Sequence, residues 1–161
     1  MCKSHHMRIA MASDHAGFRL KEEIKGLLAA GGHDIVDFGP GDESACDLVD
    51  YAYPAALAVG RQEVDRAILV DGVGYGSAMI ANRILGVDAV VCQDPFCAAL
   101  ARSHSDSNVL CLGAKIIGSG VAVAVVDAWM TTDFLAEEKY VRRVEKGRAV
   151  AERHLRPLDE M

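Results

Sequence analysis

Short aliphatic runs alternate along this chain with stretches whose apolar positions recur every three or four residues. Arg8 to Ser13 predicts a first strand. A helix is predicted from about Gly17 to Ala30, where Phe18, Leu20, Ile24, Leu27 and Leu28 form one stripe, and Gly31-Gly32 ends it. Asp34 to Phe38 predicts a short second strand, followed by a polar loop from Gly39 to Asp50 and a helix from about Tyr53 to Arg61. Ala67 to Val70 reads as a third strand that breaks into a glycine-rich loop and a helix from Ala78 to Leu85. Asp88 to Cys92 and Asn108 to Leu112 predict two further strands, with a helix from Phe96 to Ser103 between them. Helices over about Val121 to Met130 and Ala136 to His154 complete the pattern, the last of them amphipathic and rich in basic residues.

Five short strands separated by helices predict an α/β fold. A parallel sheet is covered on both faces in a three-layer α/β/α, Rossmann-like arrangement with a C-terminal helix. Ligands in such folds bind beyond the carboxyl ends of the strands. The segments to inspect are therefore Ser13-Asp14-His15, Gly39, Asp71 to Ser77, Gln93-Asp94 and Gly113-Ala114-Lys115. Neither a repeat nor a linker interrupts the pattern, so residues 7–161 read as one domain.

Composition narrows the function. Half of the 161 residues are apolar (51%), which excludes a disordered chain. A net charge of -6 argues against a nucleic-acid partner. No apolar run approaches the roughly 18 residues of a membrane span, and no signal peptide is visible. The five cysteines are odd in number and form no CxxC pair, which fits free thiols in a cytoplasmic protein. Residues 1–6 read as a disordered lead-in or cloning remnant, a simpler reading than a metal clip of Cys2, His5 and His6.

The segment Asp71-Gly72-Val73-Gly74-Tyr75-Gly76-Ser77 carries the clearest chemistry. Alternate glycines let backbone N–H groups converge, and a following helix N-terminus makes the loop a receptor for an anion or a developing oxyanion. No Gly-Lys-Ser/Thr follows, and the G-x-G-x-G spacing is not the dinucleotide fingerprint. A small anionic or carbonyl-bearing ligand remains. Asp14 either caps the first helix or meets that ligand. His15 can hold a phosphate or a sugar oxygen, and His104 is a candidate acid/base in a polar segment. Lys115, Lys139 and Arg143 supply cations, Arg142 reads as solvated, and Tyr51 and Asn82 are further polar candidates.

Taken in order, these motifs resemble the ribose-5-phosphate isomerase B and galactose-6-phosphate isomerase family from Met7 to about Ala149. The resemblance is carried by Ser13-Asp14-His15-Ala16-Gly17-Phe18, Leu20-Lys21, Asp50-Tyr51, Gly72-x-Gly74-x-Gly76, Ala81-Asn82-Arg83 and Ala89-Val90-Val91-Cys92. Arg102-Ser103-His104, Asn108-Val109-Leu110, Val126-Asp127-Ala128-Trp129 and Arg143-Val144-Glu145 extend it. It implies aldose–ketose isomerisation of a phosphorylated sugar through a cis-enediol, without metal or organic cofactor. It also implies a homodimer or dimer of dimers whose sites are shared between subunits. By position, His104 resembles the ring-opening acid/base, assisted by Asp14. His15, Lys115, Lys139 and Arg143 resemble the phosphate clamp. Gly72, Gly74 and Gly76 with Asn82 resemble the cradle of the enediolate oxygen, and Tyr51 a hydroxyl donor to substrate.

The departures are specific. Where many members carry a cysteine base, this chain has Asp71. Where others use a glutamate, it has Ser77, and a loop threonine is replaced by Val73. Two clamp arginines are Lys115 and Lys139, which keep charge but lose the bidentate fork, and the usual histidine after Lys139 is Tyr140. Asp71 is therefore the expected base, because carboxylates remove such protons in other isomerases. Ribose 5-phosphate is the default substrate, with a tetrulose phosphate or hexose 6-phosphate as alternatives. Two other readings remain: a non-catalytic sugar-phosphate-binding subunit, and a phosphoacceptor domain built on Asp14, Asp71 and Lys115. The glycine loop directly after Asp71 argues against the latter.

Overall fold

The computed structural model describes residues 6–158. Cys2, His5 and most of the expected lead-in lie outside the described residues. Five parallel strands form one sheet in the order β2-β1-β3-β5-β4. They are β1 (Arg8–Ser13), β2 (Asp34–Asp37), β3 (Arg66–Asp71), β4 (Ala89–Val91) and β5 (Val109–Gly113). The helices are α1 (Phe18–Ala30), α2 (Val49–Gly60), α3 (Tyr75–Ala81), α4 (Pro95–Ser105), α5 (Ser119–Thr131) and α6 (Glu138–His154).

Strand alternation divides the core into two layers. Ile9, Met11, Ile68, Val70, Leu110 and Leu112 face one way and pack with α1, α4 and α5 around the fully buried Trp129. Ala10, Ala12, Leu69 and Cys111 face the other way, against the alanine face of α2 formed by Ala52, Ala55 and Ala56. Buried thiols follow from this packing: burial pushes Cys92 up to about 12, and Cys111 also rises. The four cysteines among the described residues are all free.

Several boundaries differ from the sequence reading, and three helix starts show the local reasons. Helix α2 starts at Val49 rather than near Tyr53 and carries Pro54 inside its second turn, where the missing N–H forfeits only one bond. Helix α3 starts at Tyr75, inside the glycine run, because Gly74 takes the left-handed conformation (φ 86°) and turns the chain directly into the helix. Helix α4 starts at Pro95, with Asp94 capping it by accepting from the Cys97 N–H at 2.8 Å.

Neighbouring β1 and β3 begin connections that lead to opposite faces, α1 on one side and α3 on the other. Such a switch in direction opens a crevice at the carboxyl ends of the strands. The backbone closes tightly there: a Cβ on Gly17 would lie 2.1 Å from the Val70 carbonyl oxygen, so the β1–α1 turn rests on β3 only because that residue is glycine. No helix among the described residues is long and apolar enough to cross a membrane.

Candidate active site

The residues singled out from the sequence fall into two groups at opposite ends of the sheet. The first lies at the crevice between β1 and β3. Ser13 pairs with Val70, so Asp14 follows β1 level with Asp71 at the end of β3. Asp14 is half-buried and accepts one hydrogen bond, from the Gly17 N–H to Oδ1 at 2.9 Å; His15 beside it is exposed. Lys115 reaches the same place: a Cβ on Gly72 would lie 3.6 Å from the Lys115 Cδ and 4.0 Å from the Ala16 Cβ. Tyr51 lies against Gly39, whose carbonyl accepts the Ser13 N–H at 2.9 Å, so the phenol flanks the end of β1.

The glycine loop does gather amides, and the anion it holds belongs to the chain itself. Asp71 Oδ1 accepts from the N–H groups of Val73 (2.8 Å) and Gly74 (2.5 Å). Its Oδ2 accepts from the Ser77 N–H (2.9 Å) and from the Ser77 hydroxyl (2.6 Å). The residue is 3% exposed. Burial pushes this carboxyl up, but the bonds from Ser77, Val73 and Gly74 outweigh it and hold Asp71 below the usual carboxylate range. The N–H groups of Gly72, Tyr75 and Gly76 take no part in these bonds.

Asn82 does not join this cradle. It ends α3, about 10 Å of helix away from the loop. Its amide is spent on the Ala89 backbone, donating to the carbonyl at 2.9 Å and accepting from the N–H at 2.8 Å. Sequence proximity to the loop hid that the intervening helix carries the side chain to the start of β4.

The second group lies at the amino ends of the strands. Helix α4 runs back from the end of β4 to the start of β5 and delivers His104 there. A cleft of about 240 Å³ is lined by Asp88, His104, Ser105, Tyr140, Arg143, Val144 and Gly147. Tyr140 stacks on His104 with ring centroids 4.2 Å apart and planes 14° from parallel. The Lys139 ammonium and the Arg143 guanidinium lie 4.6 and 5.9 Å from the Tyr140 ring. Lys139 also pairs with Glu137 at 3.0 Å. Arg148 ties the helix down, reaching Asp88 at 3.1 Å and Asp106 at 3.0 Å. Sequence reading treated Tyr140 only as a replacement for histidine. The signal for its packing role was the lone tyrosine in a mostly polar helix.

From Asn108 to Gly113 the chain rises about 16 Å along β5. His104 therefore stands a sheet's length from Asp14, Lys115 and the glycine loop of the same chain. Both groups carry acid–base and cationic residues suited to an anionic, hydroxyl-bearing ligand.

Comparison with known proteins gives the family. The Ribose/Galactose Isomerase family profile matches residues 9–146. The chain is 39% identical over 146 residues to ribose-5-phosphate isomerase B of Escherichia coli K12, covering 91% of this chain and 97% of that protein. It is 36% identical over 129 residues to the 4-deoxy-4-sulfo-D-erythrose isomerase of Clostridium sp. MSTE9, covering 80% of this chain and 81% of that one. Among solved structures, ribose-5-phosphate isomerase B of Clostridium thermocellum superimposes with a TM-score of 0.89 at 34% identity, covering 92% of this chain and 99% of that one. The chain belongs to the ribose/galactose isomerase family.

Proposed function

We propose that this chain interconverts the aldose and ketose forms of a small phosphorylated sugar, with ribose 5-phosphate and ribulose 5-phosphate as the first pair, in a site made by two copies. At the level of reaction class it is a sugar-phosphate isomerase of its family. The observation that carries the two-copy reading is the separation of the half-sites by the length of β5. One copy supplies Asp14, His15, Tyr51, Lys115 and the glycine loop; the other supplies His104, Lys139 and Arg143. Exposed Val73, Tyr75, Met79 and Phe96 leave an apolar surface near the loop and the neighbouring edge for a second copy to cover.

The residues then divide the work. Lys139, Arg143, Lys115 and His15 surround the dianionic phosphate. His104 and Asp14 exchange protons between the anomeric hydroxyl and the ring oxygen, which opens the sugar. A base then removes the C2 proton, and the electron pair moves to give an enediolate oxygen. The N–H groups of Gly72, Tyr75 and Gly76 receive that charge as it develops. Two carboxylates, Asp14 and Asp71, follow neighbouring strands at this end.

The test is a panel of ribose 5-phosphate, tetrose 4-phosphates, hexose 6-phosphates and a 4-deoxy-4-sulfo tetrose, followed by proton NMR for the paired ketose. Turnover of one phosphorylated member is expected, with ribose 5-phosphate first. Turnover of none contradicts the proposal, and turnover of the sulfonate alone would replace phosphate as the recognised anion.

A further inference from the structure

We infer that Asp71 is a positioning residue, the internal anion around which the glycine loop folds, and that Asp14 is the carboxylate that carries the C2 proton. The inference rests on the isomerase reading above and assigns roles within it. A carboxylate has about four in-plane acceptor sites. Those of Asp71 meet four donors, two at each oxygen. The residue is also buried, on the side of β3 that faces α3. Taking a proton from carbon would require it to expel one of these donors. What its charge does instead is fix the loop: Val73, Gly74 and Ser77 point their N–H groups inward, leaving those of Gly72, Tyr75 and Gly76 outside these bonds. Ser77 takes part as a second pin, through both its amide and its hydroxyl.

Asp14 has the opposite character. It stands level with Asp71 on the neighbouring strand, is half-exposed, and has only Oδ1 engaged. Its turn approaches the loop at Ala16, whose Cβ would lie 4.0 Å from a Cβ placed on Gly72. In the step assigned to it, Asp14 takes the C2 proton. The C–H electron pair becomes the C1–C2 double bond, and the carbonyl pair moves onto O1. Asp14 then returns the proton to C1 while the O2 hydroxyl proton passes to the neighbouring O1 of the cis-enediolate. The carboxylate is regenerated, and no electrons enter or leave.

Three measurements decide the matter. In the wild-type protein, labelled with 13C at aspartate, the Asp71 carboxyl should titrate below the ordinary value of about 4; a midpoint above it would overturn the inference. This reading needs no substrate, so it stands even if the proposed activity fails. Ser77→Ala removes one donor and keeps the backbone. A positioning role predicts a kcat lowered about tenfold with a loosened loop, whereas a base freed of one hydrogen bond would work faster. In deuterium oxide with ribulose 5-phosphate, which is acyclic and needs no ring opening, Asp14→Asn should lose C1 proton exchange by about a thousandfold or more, and Asp71→Asn by about thirtyfold or less. The reverse order contradicts both assignments, while no exchange by the wild type contradicts the substrate and leaves the titration to judge Asp71.

Discussion

Asp71 shows how little a residue's type says about its role until its hydrogen bonds are known. Its position at the mouth of the loop was readable from the chain. Its bonding was not, because a carboxylate beside converging amides can accept from them or face a ligand, and only the fold of the next six residues decides. Truncation to alanine would leave the Val73, Gly74 and Ser77 amides without their acceptor. At about 1–3 kcal/mol for each buried group left unpaired, Asp71→Ala should lower unfolding free energy by about 3 kcal/mol in urea titration. The folded-state carboxyl is held below its ordinary value. Its stabilisation is therefore full above the unfolded pKa of about 4 and is lost as pH falls through the lower folded value. Asp71→Asn should flatten the acid limb of the stability curve below about pH 4; an unchanged limb contradicts this.

At the scale of elements, one charged side chain sets the wall of the crevice. Lys21 is fully buried. Its ammonium donates to both Asp37 oxygens at 2.8 and 2.9 Å, to Glu22 at 2.8 Å and to the Pro40 carbonyl at 3.3 Å. Burial pushes Asp37 up, while the bonds from Lys21, Lys25 and the Gly39 amide pull it below its usual range. The pattern of apolar spacing cannot reveal such a lysine, because its partner arrives from another element. Lys21→Met should cost about 2 kcal/mol and raise KM, since the Gly39–Pro40 segment supports Tyr51. Arg148 is the counterpart at the other end, but its two ion pairs are 44% exposed on the arginine side. Arg148→Leu should therefore change stability by no more than about 1 kcal/mol. It should raise KM several-fold by loosening α6, which carries Tyr140, Lys139 and Arg143; an unchanged KM contradicts that role.

Across the whole molecule, alternation of strand and helix signals was enough to read a parallel sheet with helices on both faces. Each of the five strands was found within a residue or two of its observed ends. The strand order 2-1-3-5-4 was not readable, because it depends on which helices cover which face rather than on any local pattern. The same limit applied to the site: the chain names His104 and Asp14 but does not say that one lies at each end of the sheet. That separation is the basis for the claim that catalysis needs two copies. The direct test mixes Asp14→Asn and His104→Asn proteins after reversible dissociation. Each variant alone should be nearly inactive. A mixed dimer carries one doubly altered site and one intact site, so random pairing should restore about a quarter of wild-type activity. A mixture no more active than its two components would contradict a site shared between copies.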